Sequence, residues 1–284
     1  MSPRIAAAPI SWGVSEVPGW GRMLDADVVL GEMAELGVRA TELGPPGYLS
    51  AEPRALLDRH GLSLVGGFLA VPLHEGGTEA ATEAAELFAR SGGEVLVLAA
   101  ATGLDGYDDR PDLDDRQWRT LVETCERIRE IAGGHGLSTV LHPHVGTHVE
   151  TEAEVNRFLA DSSVPLCLDT GHLLIGGTDP VALAKSHPER IGHIHLKDVR
   201  GDLADKVRAG ELPFTDAVGQ GLFVPLGAGD VDTESMLRAV HAAGYRGWYV
   251  LEQDTALGPQ SPLDAPRRDT ARSLAYLEEL FARL

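Results

Sequence analysis

The chain has 284 residues, with 43 Asp plus Glu against 24 Lys plus Arg, a formal net charge of −19 with histidine neutral. That excludes a protein built to grip polyanions, because a nucleic-acid binder needs a cationic face to displace condensed counterions. A composition of 43% hydrophobic and 24% charged residues with near-zero mean hydropathy excludes disordered and fibrous chains and fits a globular protein that buries a core.

The first thirteen residues carry one Arg and a short apolar run broken by Pro9, too short for a signal peptide and far below a membrane span, so no membrane partner is expected. Cys125 and Cys167 lie in helix-like and strand-like apolar segments without disulfide or metal-knuckle spacing, which suits a reducing cytoplasm.

In chain order, eight short β-type apolar runs fall at 5–10, 38–43, 63–68, 94–99, 138–142, 165–169, 191–196 and 248–252. Several are apolar at consecutive positions, as in strands covered on both faces. Helical patterns separate them. Ser50 is placed to cap a helix over 52–60, Thr151 one over 152–159, and Asp232 one over 233–243. Over 112–131, Trp118, Leu121, Val122, Cys125, Ile128 and Ile131 recur every three or four residues, which predicts a helix with one buried stripe. Gly37, Gly61, Gly136 and Gly244 each follow a helix and precede a strand, as left-handed helix ends do. Eight βα units predict one α/β domain over 1–284, a closed (β/α)8 TIM barrel. The open-sheet rival lacks its signature, since the turn after the first strand reads Ile10-Ser11-Trp12-Gly13-Val14-Ser15 and not GxGxxG. The long non-periodic stretch, 199–230, reads as a functional loop.

Barrel chemistry collects where strands end, so polar residues closing an apolar run are the candidates. Trp12, Glu42 and Phe68 close strands in the first half; His142, His144, Asp169, His172, His193, His195, Lys197 and Glu252 do so in the second. One strand-end His or Asp can simply cap a loop, but four consecutive strands ending this way favour a divalent metal site. Asp169, His195 and Glu252 supply two carboxylates and an imidazole, a set suited to Mn²⁺, Co²⁺, Fe²⁺, Zn²⁺ or Mg²⁺. Strand alternation puts His142 and His144 on one side, one as fourth ligand and the other free for proton transfer. A zincin reading of His144 and His148 fails, because Pro143 and Gly146 oppose the required helix. Lys197 and Asp198 stand at the expected rim, the lysine to hold an oxyanion or hydroxyl, and Trp12 and Phe68 would wall the pocket against a sugar or cyclitol face. Gly227-Ala228-Gly229-Asp230 offers either a weak phosphate cradle or a turn before the Asp232 cap.

These residues resemble the xylose-isomerase-like, or sugar phosphate isomerase/epimerase, superfamily of divalent-metal TIM barrels along the whole chain. The most specific pieces are Leu168-Asp169-Thr170-Gly171-His172, His193-Ile194-His195-Leu196-Lys197-Asp198 and the strand end at Glu252. The resemblance implies that Asp169, His195 and Glu252 are metal ligands and that His172 contacts substrate. Within the superfamily, Ala8-Pro9-Ile10-Ser11-Trp12-Gly13, His142-Pro143-His144-Val145-Gly146-Thr147 and Glu252-Gln253-Asp254 are most similar to inosose dehydratases, which remove water from 2-keto-myo-inositol in inositol catabolism. Many superfamily members carry Glu as the fifth-strand ligand where this chain offers His142, which disfavours a two-base epimerase.

The expected site is therefore His142, Asp169, His195 and Glu252 around Mn²⁺ or Co²⁺. The metal acts as a Lewis acid for the enediolate formed by α-proton removal, with His144, Glu252 and Lys197 moving or holding protons. Glu42, Phe68, His172, Asp198 and Trp12 are the expected substrate contacts, and the substrate is a small polyhydroxylated molecule. The runner-up is a metal-dependent sugar or sugar-phosphate isomerase or epimerase, followed by a non-catalytic sugar- or inositol-binding barrel. A DNA-repair nuclease on the same barrel is disfavoured by the charge. Similar barrels are often homo-oligomers, but no segment here marks an interface.

Overall fold

The computed structural model describes residues 3–15, 17 and 20–284. Eight parallel strands close into a barrel, namely β1 (Arg4–Ala7), β2 (Ala40–Glu42), β3 (Ser63–Val71), β4 (Val95–Ala100), β5 (Ser138–Leu141), β6 (Leu166–Asp169), β7 (Ile191–Leu196) and β10 (Trp248–Leu251). The final closure pairs β1 with β10, Arg4 opposite Trp248 through Ala7 opposite Leu251. The remaining strands, β8 (Asp198–Val199) and β9 (Phe223–Val224), form a small antiparallel ribbon outside the barrel.

The pleat sorts each strand into two faces. Ala6, Ala40, Val65, Val95, Val97, Val140, Cys167 and Val250 point inward and fill the barrel interior, leaving a packed core and not a pore. The alternate residues pack outward against the helices, where Leu30, Met33, Leu121, Ile128, Phe158 and Leu237 are fully buried. The helices start on strong local signals: Asp114 and Gln117 form a capping box at Asp115–Gly134, and Thr151 and Glu154 another at Glu152–Asp161. Asp232 accepts from the Ser235 N–H at the start of Thr233–Ala242.

Two expectations about elements change. The second helix is Arg54–His60 with Pro53 at its N-cap and no side-chain cap, so Ser50 does not cap it. Pro53 presets the backbone for a helix start and dispenses with an N–H. The stretch 199–230 is structured and not a plain loop, holding helices Gly201–Arg208 and Phe214–Gly219 beside the ribbon. These elements are too short for periodicity to show, and they form a second core with Trp20, Val145, Phe214, Leu222 and Phe223 above the barrel mouth. Among the described residues, no helix is long and apolar enough to cross a membrane.

Candidate metal centre and cavity

The same alternation that fills the interior builds the site one pleat higher. Val140, Cys167, His193 and Val250 lie in the lower layer, and two residues further along each strand come His142, Asp169, His195 and Glu252. One ligand-type atom from each of these four lies within 4.8 Å of all the others. His142 Nε2 is 3.3 Å and His195 Nδ1 3.6 Å from Asp169 Oδ2, and His195 Nδ1 is 2.6 Å from Glu252 Oε2.

The other atoms of these groups are already engaged. Asp169 Oδ1 accepts the Gly171 and His172 N–H groups at 2.9 and 2.8 Å. His142 Nδ1 lies 2.8 Å from the Pro143 carbonyl, so it carries the proton and Nε2 presents its lone pair. Asp169 Oδ2, His195 Nδ1 and Glu252 Oε2 are buried and face one another and Lys197, with no hydrogen bond to any group outside the cluster. Three buried ligand atoms, two of them carboxylate oxygens, converging on one point with nothing beyond the cluster to satisfy them fit a divalent cation of the oxygen- and imidazole-binding kind.

Two of the four, His142 and Glu252, line a cavity of about 110 Å³. His142, His144, Lys197, Glu252 and Asp254 supply its polar side, and Ile10, Val14, Trp20, Pro45, Phe68 and Tyr107 its apolar side. Gly146 has φ +79, and a Cβ there would strike Tyr107 at under 3 Å, so glycine lets that ring close over the site. His144 stacks on His172 at 3.7 Å between ring centroids. Its Nδ1 lies 2.7 Å from the Val145 carbonyl, which leaves Nε2 as an acceptor. Burial, then the nearby His142, drives its pKa down to about 3, so it is neutral at working pH.

Lys197 is buried and not a rim residue, being 2% exposed. Its ammonium pairs with Asp254 and lies 3.3 Å from Glu252 Oε2. Burial works against that charge, but Asp254, Glu252 and Asp169 outweigh it and raise the pKa above the lysine norm. A Cβ on Gly171 would lie 2.7 Å from Lys197 Cβ, so this glycine makes room for the lysine stem. Asp254 is a site residue that the sequence reading did not single out. Its signal is the spacing of two from Glu252, which repeats the spacing of Lys197 from His195.

Two expected substrate contacts, Trp12 and Asp198, lie away from the cavity. Trp12 ends the 3-10 turn Pro9–Trp12, is fully buried in the outer core and donates to Glu32 Oε2 at 2.7 Å. β1 stops at Ala7, so strand alternation does not reach Trp12, and Trp20 takes its place on the wall. The Asp198 carboxylate accepts N–H groups of Val199, Gly227, Gly229 and Val231 at 2.8–3.0 Å, which ties down the ribbon away from the cavity. The Gly227–Asp230 backbone is therefore a nest for the chain's own carboxylate. Phe68 borders the cavity. His172 lies buried behind His144 with Nε2 unpartnered. Glu42 borders the cavity too, but its Oε1 is held by His193 Nε2 at 2.9 Å and His195 Nε2 at 3.1 Å.

Fold and site define a parallel (β/α)8 barrel with a metal-type cluster of two imidazoles and two carboxylates at the C-terminal strand ends. Residues 30–280 match the family described as xylose isomerase-like TIM barrel, and the chain belongs to that family. It is 37% identical to the Rhizopine catabolism protein MocC of Rhizobium meliloti, covering 93% of this chain and 85% of that one. It is 36% identical to the inosose dehydratase of Geobacillus kaustophilus, covering 89% of each. Among solved structures it is similar in fold to an L-ribulose 3-epimerase, with TM-score 0.73, 15% identity and coverage of 99% of this chain and 95% of that one.

Proposed function

We propose that residues 1–284 act as one divalent-metal-dependent hydro-lyase that removes water from a keto-cyclitol of the 2-keto-myo-inositol kind. The observation that carries this reading is the convergence of four ligand-type groups, one atom of each within 4.8 Å of the others, beside a small cavity bordered by a neutral imidazole. The similarity to inosose dehydratases over nine-tenths of the chain supports the substrate class.

His142, Asp169, His195 and Glu252 would hold Mn²⁺ or Co²⁺, which supplies electrophilic stabilisation of negative charge developing on the substrate carbonyl oxygen. The substrate ring lies against Phe68, Tyr107 and Trp20, whose apolar faces suit the C–H face of a cyclitol and exclude water. His144 Nε2 accepts the α-proton, and the C–H electron pair moves into the carbonyl group to give an enolate. The same imidazole then gives that proton to the β-hydroxyl; the C–O bond breaks with its electron pair leaving on the water oxygen, while the enolate returns to the ketone and its pair forms the new Cα=Cβ bond. Lys197 stays protonated between its carboxylates, so it donates a hydrogen bond to a substrate oxygen and does not surrender its proton.

The test is to strip the protein with chelator and assay 2-keto-myo-inositol before and after Mn²⁺ or Co²⁺ is restored. Activity is expected only with metal. Full activity after complete stripping would end the metal part of the reading.

A further inference from the structure

On the side of His195 away from the other ligands, the pleat places a further imidazole, His193, and a further carboxylate, Glu42. Glu42 ends β2 two residues beyond the inward-facing Ala40, so strand alternation turns its side chain into the barrel. There its Oε1 lies 2.9 Å from His193 Nε2 and 3.1 Å from His195 Nε2. His193 sits one pleat below His195 on β7, and the two rings meet edge to face at 5.1 Å between centroids. His193, Glu42 and His195 are all buried, with side-chain exposures of 0%, 4% and 1%.

We propose that Glu42, held by His193, is the positioning residue of the metal centre: it fixes the ring of His195 with Nε2 protonated and Nδ1 turned to the cation. This rests on the metal reading above and goes beyond it, since neither residue is a ligand there. The geometry leaves His195 little choice. With Nε2–H committed to Glu42, Nδ1 is the ring nitrogen left to face the other ligands, 2.6 Å from Glu252 Oε2 and 3.6 Å from Asp169 Oδ2. A carboxylate behind a ligand imidazole also makes it a stronger donor. His193 gives the same oxygen a second donor and holds the Glu42 carboxylate in the one orientation that meets Nε2 of both rings.

The same three residues are close enough to hold a cation themselves. The contacts of 2.9 and 3.1 Å are ordinary N–H···O lengths, and a proton between each pair accounts for them without a second ion.

The experiment is calorimetric titration of the metal-free full chain with Mn²⁺, for wild type, Glu42→Gln, Glu42→Ala and His193→Gln, with the thermal midpoint of each metal-free form as the folding control. Wild type is expected to take one ion per chain. Glu42→Gln keeps the shape and an acceptor but removes the charge, and should weaken binding by about 10–100-fold. Glu42→Ala should weaken it further, and His193→Gln, which leaves Glu42 in place, less. In the Zn²⁺-loaded wild type, the ¹⁵N spectrum should show the His195 Nε2–H slow to exchange with water, and this signal should be lost in Glu42→Ala. A Glu42→Gln affinity within twofold of wild type would overturn the proposal. So would two ions per wild-type chain with the second lost on changing Glu42, which would make the triad a second metal site. A wild type that binds no ion would overturn the metal reading and this inference together, an outcome distinct from either of those.

Discussion

Replacing Asp169 with Asn separates the structural from the metal-holding role of one carboxylate. The amide oxygen can still accept the Gly171 and His172 N–H groups that Oδ1 now accepts at 2.9 and 2.8 Å, so the start of the following helix survives. What is lost is Oδ2, buried within the cluster, together with the negative charge 4.0 Å from the Lys197 ammonium. Changes behind a ligand cost about 10–100-fold in metal affinity, so removing a charged ligand should cost at least about 100-fold. At free metal about 100 times the wild-type Kd, binding adds about 2.7 kcal/mol to the stability of the wild type. The variant at the same concentration gains about 0.4 kcal/mol. The difference, about 2.3 kcal/mol, corresponds to roughly 5 °C in a chain of this size. Scanning calorimetry with chelator and with Mn²⁺ reads this directly: the wild-type midpoint should rise on adding metal, and the Asp169→Asn midpoint should stay nearly still. Equal rises in the two proteins would refute the placement of the cation beside Oδ2.

His144→Ala should lower turnover by about 10²–10⁴-fold, the range for losing a general acid–base group, while Mn²⁺ affinity stays as in wild type; lost metal binding would put His144 among the ligands. Trp12→Phe should cost about 1 kcal/mol through the lost bond to Glu32 and leave KM unchanged, whereas Phe68→Ala should raise KM; paired urea melts and steady-state kinetics check both, and a raised KM for Trp12→Phe would return that ring to the cavity wall. Asp198→Ala leaves four N–H groups without their acceptor and should destabilise the ribbon by about 3 kcal/mol, seen as faster proteolysis within 199–231; unchanged cleavage would contradict the tie. His148 is held down to about 4 by burial, then by His74 and Arg110, against about 6.5 in the unfolded chain. The unfolded state therefore takes up the proton first, so this contribution is complete above about pH 6.5 and is lost as pH falls towards 4. Urea melts at pH 7 and pH 5 should show a smaller acid loss in His148→Gln than in wild type, and equal losses would contradict the shift.

Much of the barrel is legible in the chain because both periodicities are undisturbed where the core is deepest. The run over 191–196 is β7 to the residue, and Thr151 and Asp232 cap where their side-chain chemistry demands it. The metal-type cluster follows from the same alternation, since His142, Asp169, His195 and Glu252 stand two residues beyond inward-facing positions on four strands.

Legibility fails where a strand ends early or a contact is long-range. Trp12 lies past the end of β1 in a 3-10 turn, so its direction obeys no strand rule. Asp198 finds three of its four donors 29–33 residues away, a distance no local pattern encodes. Glu42 meets His193 and His195 from 151 and 153 residues away, and only barrel closure joins β2 to that face of β7. Asp254 was hidden because β10 stops at Leu251 and the inward spacing continues beyond the strand.

The measurement that meets the central claim most directly is ¹H NMR of 2-keto-myo-inositol in D₂O with the stripped protein and with the protein restored to Mn²⁺ or Co²⁺. Water loss that requires the metal, with no deuterated or rearranged ketone accumulating, is the result the account predicts. Deuterium uptake or isomerised product without elimination would contradict it and place this chain among isomerases and epimerases, and an inert substrate on a metal-loaded protein would contradict the choice of keto-cyclitol.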